Sequence, residues 1–370
     1  MYKKIFMGIA AVAALTLVSC SSDDLNSLSD NSSKNEAISF DGYWGRSAVS
    51  VNGSRGSVID KAEDLQKVSE GFGVFGNYSS TDGEAFGSNL FENQKVTYST
   101  EETKWTYSPK KYWSPQGHID FLAYAPRVEG TKLKDNTSCI EFTVADKAAD
   151  QKDLLWANAA NQTMAKNSGT DKKVKFQFAH ALSRLGYTVK TNPNDTNPND
   201  ASTTITLKTI TLAGSADGKT NAFYTKGTID LSKDLPKPST SITDLWATSN
   251  TDTKQKFDWF SGTQSLATTY TNPDTEYLFV IPQNFSEKIE DAELQKENPD
   301  KLYVIVEYDI HYKDIDKTIT NKVSSQLKLN FEQGKAYTIN LSLGLTPIEF
   351  DVTTVEGWTD INQGEINSWN

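Results

Sequence analysis

The sequence predicts an all-β protein built as two antiparallel β-sandwich domains in tandem. Three observations predict it. Heptads and 3.6-residue apolar periods are scarce. Short runs rich in Val, Ile, Thr, Tyr, Phe and Trp, bounded by Gly, Pro, Asn and Asp, recur from residue 37 onward. About 350 residues follow an N-terminal leader, enough for two domains of ordinary size.

Lys3 and Lys4 form a positive head, and IFMGIAAVAALTLV behind them is an uncharged apolar run of signal-peptide length. It is shorter than the ~20 apolar residues a membrane-spanning helix needs. Leu17, Val18, Ser19 and Cys20 match a lipobox, so residues 1–19 read as a lipoprotein signal peptide and Cys20 as the lipidated first residue of the mature chain. Several acyl chains, at ~0.8 kcal/mol per buried methylene, make such a tether effectively permanent. Residues 20–36, polar and serine-rich without aromatics, read as a flexible tether. Asp23 and Asp24 resemble the acidic signal of lipoproteins sent to the outer surface, so the expected location is the cell outer membrane, facing out.

Loss of residues 1–19 removes Lys3 and Lys4 and no acid, moving the formal charge from −11 to −13. Such a surface repels nucleic acid and anionic lipid, and no nucleic-acid partner is expected. With Cys20 lipidated, Cys139 in SCIEF is left without an internal disulfide partner and reads as a small buried hydrophobe.

The first domain, 37–168, reads as strands in AISFDGYW, FGVFGNY, QKVTYS, WTYSPKKYW, HIDFLAYAP and CIEFTV. IDKAEDLQKVSE is the best short helix, with Asp60 as N-cap and Gly71 just beyond its end, and QKDLLWANAA reads as a compact element. The polar NQTMAKNSGTDKK sets the domain boundary near residue 170. The second domain, 169–370, reads as strands in VKFQFAHALSRLGYTV, TITLKTITLAG, TKGTIDL, YLFVIPQ, KLYVIVEYDIHY, VSSQLKL, AYTINLSL and IEFDVTTV. TNPNDTNPNDAS is a low-complexity loop, and SEKIEDAELQKENPDK a charged excursion.

Motifs for chemistry are sparse, and the sequence predicts no enzyme, no cofactor and no metal. GFGVFG from Gly71 fits G-x-G-x-x-G, but the helix precedes the glycines instead of following them, so they read as a strand packed close to aromatics. DTNPND from Asp195 opens like a calcium loop, yet Asp200 stands where glycine turns the chain and Thr206 where a bidentate glutamate belongs. SPKK from Ser108 and SDN from Ser29 lack the K-T-G of serine acylases. His118, His180 and His311 are isolated and read as structural, and Glu101 with Glu102 supports glycoside hydrolysis only where the fold pairs the right carboxylates. Aromatic residues make up 11% of the chain, and KWTYSPKKYW brings Trp105, Tyr107, Tyr112 and Trp113 together. They are candidates either for a glycan-stacking platform or for one face of a core, and the alternation favours core.

At WTYSPKKYWSPQGHIDFLAYAP, residues 105–126, the chain resembles the fimbrillin family, the type V pilins and related surface lipoproteins. The ISF opening, FGVFGNY, QKDLLWA, VKFQFAHALSRL, YLFVIPQ, GKAYTINLSL and VTTVEGW are similar blocks, in order from about residue 37 to 358. The resemblance implies two transthyretin-like sandwich domains and export as a lipoprotein. It also implies cutting after an arginine by a surface Arg-specific protease, and assembly with neighbouring subunits by donor-strand exchange in a fimbria that supports adhesion. The alternative it leaves is a subunit that stays lipid-anchored, as pilus anchor, tip or glycan-binding lipoprotein.

Strand exchange needs a removable strand, a cleavable arginine and a spare strand. AISFDGYW supplies the first, with Ile38 and Phe40 on one face; Arg55 in NGSRGS and Arg46 in YWGRSA are the candidate cuts. PIEFDVTTV supplies the spare strand, with Ile348, Phe350 and Val352 on one face, and ISFD and IEFD share the apolar pair and the aspartate.

Overall fold

The computed structural model of the protein describes residues 36–44, 59, 62–81, 86–87, 89–135, 137–167, 172–191, 202–234, 245–248, 253–271, 277–286, 301–345 and 349–355, with backbone alone at 44 and 349–355. The leader 1–19, Cys20, Arg46, Arg55, Asp60, Asp195, Ile348 and all but the two end residues of the charged excursion 286–301 lie outside the described residues.

Up to residue 180 the order is β1 (Phe40–Trp44), α1 (Ala62–Lys67), β2 (Phe72–Ser79), β3 (Phe91–Ser99), β4 (Lys104–Thr106), β5 (His118–Ala125), β6 (Cys139–Thr143), β7 (Leu155–Gln162), α2 (Met164–Asn167) and β8 (Val174–His180). Then come β9 (Ser183–Thr191), β10 (Thr203–Ala213), β11 (Phe223–Tyr224), β12 (Lys226–Asp230), β13 (Trp246–Ala247), β14 (Lys254–Gln255), β15 (Phe257–Ser265) and β16 (Leu278–Val280). The last are β17 (Gln283–Asn284), β18 (Leu302–Tyr312), β19 (Lys317–Leu327), β20 (Asn330–Phe331), β21 (Ala336–Leu343) and β22 (Glu349–Val355). Among the described residues no helix is long and apolar enough to cross a membrane.

The protein is all-β, as its sequence predicts. Residues Ala37–Asn370 form one compact unit containing two apolar cores. The first lies on a seven-stranded sheet, β1-β8-β7-β5-β2-β3-β4, and gathers Phe40, Phe72, Phe91, Phe121 and Phe176. The second lies between the sheets β15-β10-β18-β19 and β16-β9-β21-β22, where Leu207, Val304, Tyr187 and Ile339 meet. Both faces of the middle of the first sheet are covered. Val74 and Phe121 belong to the first core, while Phe75, Leu122, Tyr124 and Trp156 join the second. Hence β2 and β5 are buried almost continuously instead of alternating.

Two pairings are parallel, β1 with β8 and β9 with β21, within an otherwise antiparallel framework. The apolar run VKFQFAHALSRLGYTV is two strands: β8 closes onto β1 in the first sheet, and β9 enters the sheet β16-β9-β21-β22 after Ala181 and Leu182. QKDLLWANAA, which follows a short 3-10 turn at Ala148–Asp150, runs into the strand β7 from Leu155. WTYSPKKYW is a strand only through Thr106, and Tyr112 returns as a single bridge to Ala37. The polar stretch NQTMAKNSGTDKK carries α2, and KFDWFSGTQS, which the sequence does not mark as a strand, forms β15.

Gly71 follows the turn after α1, its N–H bonded to Val68 O at 2.9 Å. Its φ is +60°, and a Cβ there would fall 1.9 Å from the carbonyl oxygen of Val96. Two residues on, a Cβ on Gly73 would lie 2.6 Å from the ring of Tyr124. The glycines of GFGVFG therefore let β2 start tightly and press against aromatics.

Candidate functional site: the first strand and its seat

β1 is an edge strand of the first sheet, and its alternation is the one its sequence predicts. Ile38 and Phe40 are each 1% exposed and Gly42 is buried, whereas Tyr43 faces out. The Phe40 ring meets Phe91 and Phe121 edge-on with centroids 5.5 Å away, stacks on Phe176 at 5.6 Å and tilts against Tyr107 at 5.4 Å. Residues 40–44 pair with 174–178 of β8, whereas β8 meets β7 only at Ala179 and His180. Without β1, that length of β8 loses its ladder partner and three phenylalanine rings lose their cover.

The entry to the strand is held from the other side. Ile38 N–H donates to Lys111 O at 2.8 Å, and Tyr107 O–H donates to Ile38 O at 2.7 Å. At the exit, a Cβ on Gly42 would lie 3.3 Å from Phe178, 3.4 Å from Leu65 of α1 and 3.5 Å from Phe72. The segment carrying Arg46 and Arg55 runs between β1 and Ile59, so a cut after either leaves β1 attached to the rest of the fold by these contacts alone.

Trp105, Tyr107 and Trp113 are 6%, 7% and 7% exposed and belong to the first core, whereas Tyr112 is 46% exposed. Three of the four rings are thus packed into the core, and Tyr112 alone faces out. Tyr107 is the ring that ties this block to β1, and burial pushes its phenol pKa up to about 12. Beside it lies an open cleft of about 590 Å³ lined in part by Lys95, Glu102, Lys104 and Lys110. Lys95 bonds Glu70 at 2.9 Å and Lys104 bonds Glu102 at 2.6 Å, holding both carboxyls below their ordinary range. Lys110 Nζ lies 4.5 Å from the centre of the Tyr107 ring.

At the far end β22 is the edge of its own sheet, paired antiparallel with β21 so that Phe350 stands opposite Leu341 and Val352 opposite Ile339. The other motifs resolve into structure. Ser108 belongs to the turn after Tyr107, and Glu101 and Glu102 are exposed, Glu102 held by Lys104. His118 Nε2 lies 3.6 Å from Asp120, and His311 Nδ1 lies 3.1 Å from the Thr318 hydroxyl. His180 Nδ1 meets the buried Asp153 at 2.8 Å. Cys139 is a half-buried free thiol on β6 whose pKa burial raises. Among the described residues no three His, Cys, Asp or Glu gather in a way that could hold a metal.

A family model described as fimbrillin-like matches residues 61–358, most of the chain. The protein belongs to the fimbrillin-like family. This fimbrillin-like chain is also 27% identical over 403 aligned positions to the fimbrium subunit Fim1C of Phocaeicola vulgatus, covering 97% of itself and 98% of that protein. Among solved structures it is similar to a putative cell adhesion protein of Bacteroides ovatus, at 15% identity, TM-score 0.43, 87% of this chain and 96% of that one. It is also similar to the tip fimbrial protein Mfa3 of Porphyromonas gingivalis, at 11% identity, TM-score 0.35, 76% of this chain and 92% of that one.

Proposed function

We propose that this fimbrillin-like chain is a structural subunit of a cell-surface fimbria that supports adhesion. It is exported as a lipoprotein on Cys20, cut after Arg55 or Arg46 by an Arg-specific surface protease, and polymerised when a neighbour's C-terminal strand takes the place of β1. The carrying observation is the seat of β1: an edge strand whose inward side chains complete an aromatic core, followed at once by the two candidate cut sites. A strand seated this way is the kind another chain replaces, because main-chain hydrogen bonds and alternate pockets make up most of its attachment. Residues 347–358 are the proposed donor, released from β21. We read the chain as two domains as well, 37–168 and 169–370, with β8 reaching back across that joint to close the first sheet on β1.

Aligning IEFD on ISFD puts Ile348 and Phe350 in the places of Ile38 and Phe40, and Val352 in that of Gly42. A Cβ at Gly42 would lie 3.3–3.5 Å from Phe178, Leu65 and Phe72, so a valine there needs these side chains to give way, Phe178 first.

Brief trypsin treatment of the full chain tests the reading. We expect it to give ladders that survive boiling in detergent, and Phe350→Asp to abolish them with far-UV circular dichroism unchanged. A cut chain that remains monomeric overturns polymerisation and leaves the lipid-anchored alternative.

A further inference from the structure

The turn that grips β1 occurs twice. Tyr107-Ser108-Pro109-Lys110-Lys111 and Tyr124-Ala125-Pro126-Arg127-Val128 are the same Tyr-X-Pro-X-X turn, each with a cis X–Pro bond. In each the tyrosine hydroxyl reaches the backbone four residues on: Lys111 N–H donates to the Tyr107 oxygen at 3.2 Å, and Val128 N–H to the Tyr124 oxygen at 3.2 Å. They differ in the acceptor. Tyr124 O–H donates within its own turn to Val128 O at 3.0 Å, with Asn93 Oδ1 also at 3.0 Å. The corresponding in-turn distance, Tyr107 to Lys111 O, is longer at 3.4 Å, and the Tyr107 hydroxyl points to Ile38 O at 2.7 Å. Lys111 O in turn accepts Ile38 N–H at 2.8 Å.

We propose that Tyr107 is a latch that holds β1 until exchange and then closes on its own turn, as Tyr124 already does, so that the departing strand leaves no buried donor unmet. When Ile38 goes, Tyr107 O–H and Lys111 O lose their partners together, and they already stand within 3.4 Å of each other. A buried donor without a partner would oppose release, and the spare acceptor removes that penalty. The phenol stays a donor throughout the physiological range, since burial holds it un-ionised. The ring also touches Phe40, so one side chain grips both the backbone and the anchor of the strand. The latch gives the exchange described above a positioning residue and rests on that reading for its purpose, though not for its geometry.

Hydrogen–deuterium exchange on the uncut full chain tests it. Tyr107→Phe keeps the ring and removes the grip, and is expected to speed exchange of residues 37–44 about five- to tenfold, as loss of one hydrogen bond to a locally opening segment would. Tyr124→Phe removes the twin hydroxyl and is expected to leave residues 37–44 at the wild-type rate. Wild-type exchange at 37–44 in Tyr107→Phe, or equal acceleration by both variants, overturns the latch. Because the chain is neither cut nor polymerised, this result is independent of ladder formation: acceleration without ladders keeps the latch and removes the filament, and the converse removes the latch alone.

Discussion

Phe40→Ala is expected to lower stability by about 3–5 kcal/mol, the range for truncating a fully enclosed phenylalanine. The ring is 1% exposed and touches four other aromatic rings from three strands and the turn after β4. Edge-to-face pairs contribute beyond the area they bury, and the cavity left between Phe91, Phe121 and Phe176 is lined by stiff rings that collapse poorly. Position sharpens the effect: a strand at a sheet edge has one ladder neighbour, here a parallel one, instead of two. Denaturant melts should show the loss, and hydrogen exchange should place it in residues 37–44 before the rest of the sheet. A change under ~1 kcal/mol would mean that the aromatic seat does not hold the strand.

The all-β class was legible because its signal is local. Branched and aromatic runs between turn residues gave nearly every long strand, including β1 with its inward pair and the tight start of β2 at Gly71 and Gly73. Errors arose where distant parts of the fold set the outcome. VKFQFAHALSRLGYTV has no Gly, Pro, Asn or Asp at Ala181, yet the chain changes sheets there because Leu154 O accepts its N–H at 2.8 Å and Trp246 Nε1–H donates to its carbonyl at 2.7 Å. QKDLLWANAA lacks strand alternation because Leu155, Trp156 and Ala157 are buried in succession between the two cores. In β15 the outward positions are Asp258 and exposed small residues, which dilute the apolar signal of Phe257 and Trp259.

The site was legible as a list of parts and not as an arrangement. Side-chain alternation gives a strand's faces without its direction, so the parallel seat of β1 on β8 could not be read from ISFD. The grip of Tyr107 on Ile38 spans 69 residues, and nothing in YSPKK distinguishes it from YAPRV, whose tyrosine turns inward on its own loop. The aromatic block had two readings because spacing sets which rings share a face but not whether that face is covered. Phe40 and Phe121 decide it by packing against Tyr107 and Trp113.

The second large effect is expected at Asp153 and His180, which stand where the chain leaves the first sheet. Asp153 is fully buried and His180 is 4% exposed, with Nδ1 and Oδ2 2.8 Å apart. The other carboxyl oxygen, Oδ1, has no hydrogen-bond partner, so the imidazole is what compensates this group for leaving water. His180→Ala should therefore cost about 1–3 kcal/mol for the buried carboxyl left without its hydrogen bond, in addition to the space the ring vacates. Asp153→Ala should cost nearly as much, by removing the 2.8 Å bond to the ring and opening a gap at a fully buried position. The double variant separates a bonded pair from two independent packing losses. If the two groups act on each other, replacing both should cost at least ~1–2 kcal/mol less than the sum of the singles. Strictly additive losses in denaturant melts would show that each side chain matters only for the space it fills.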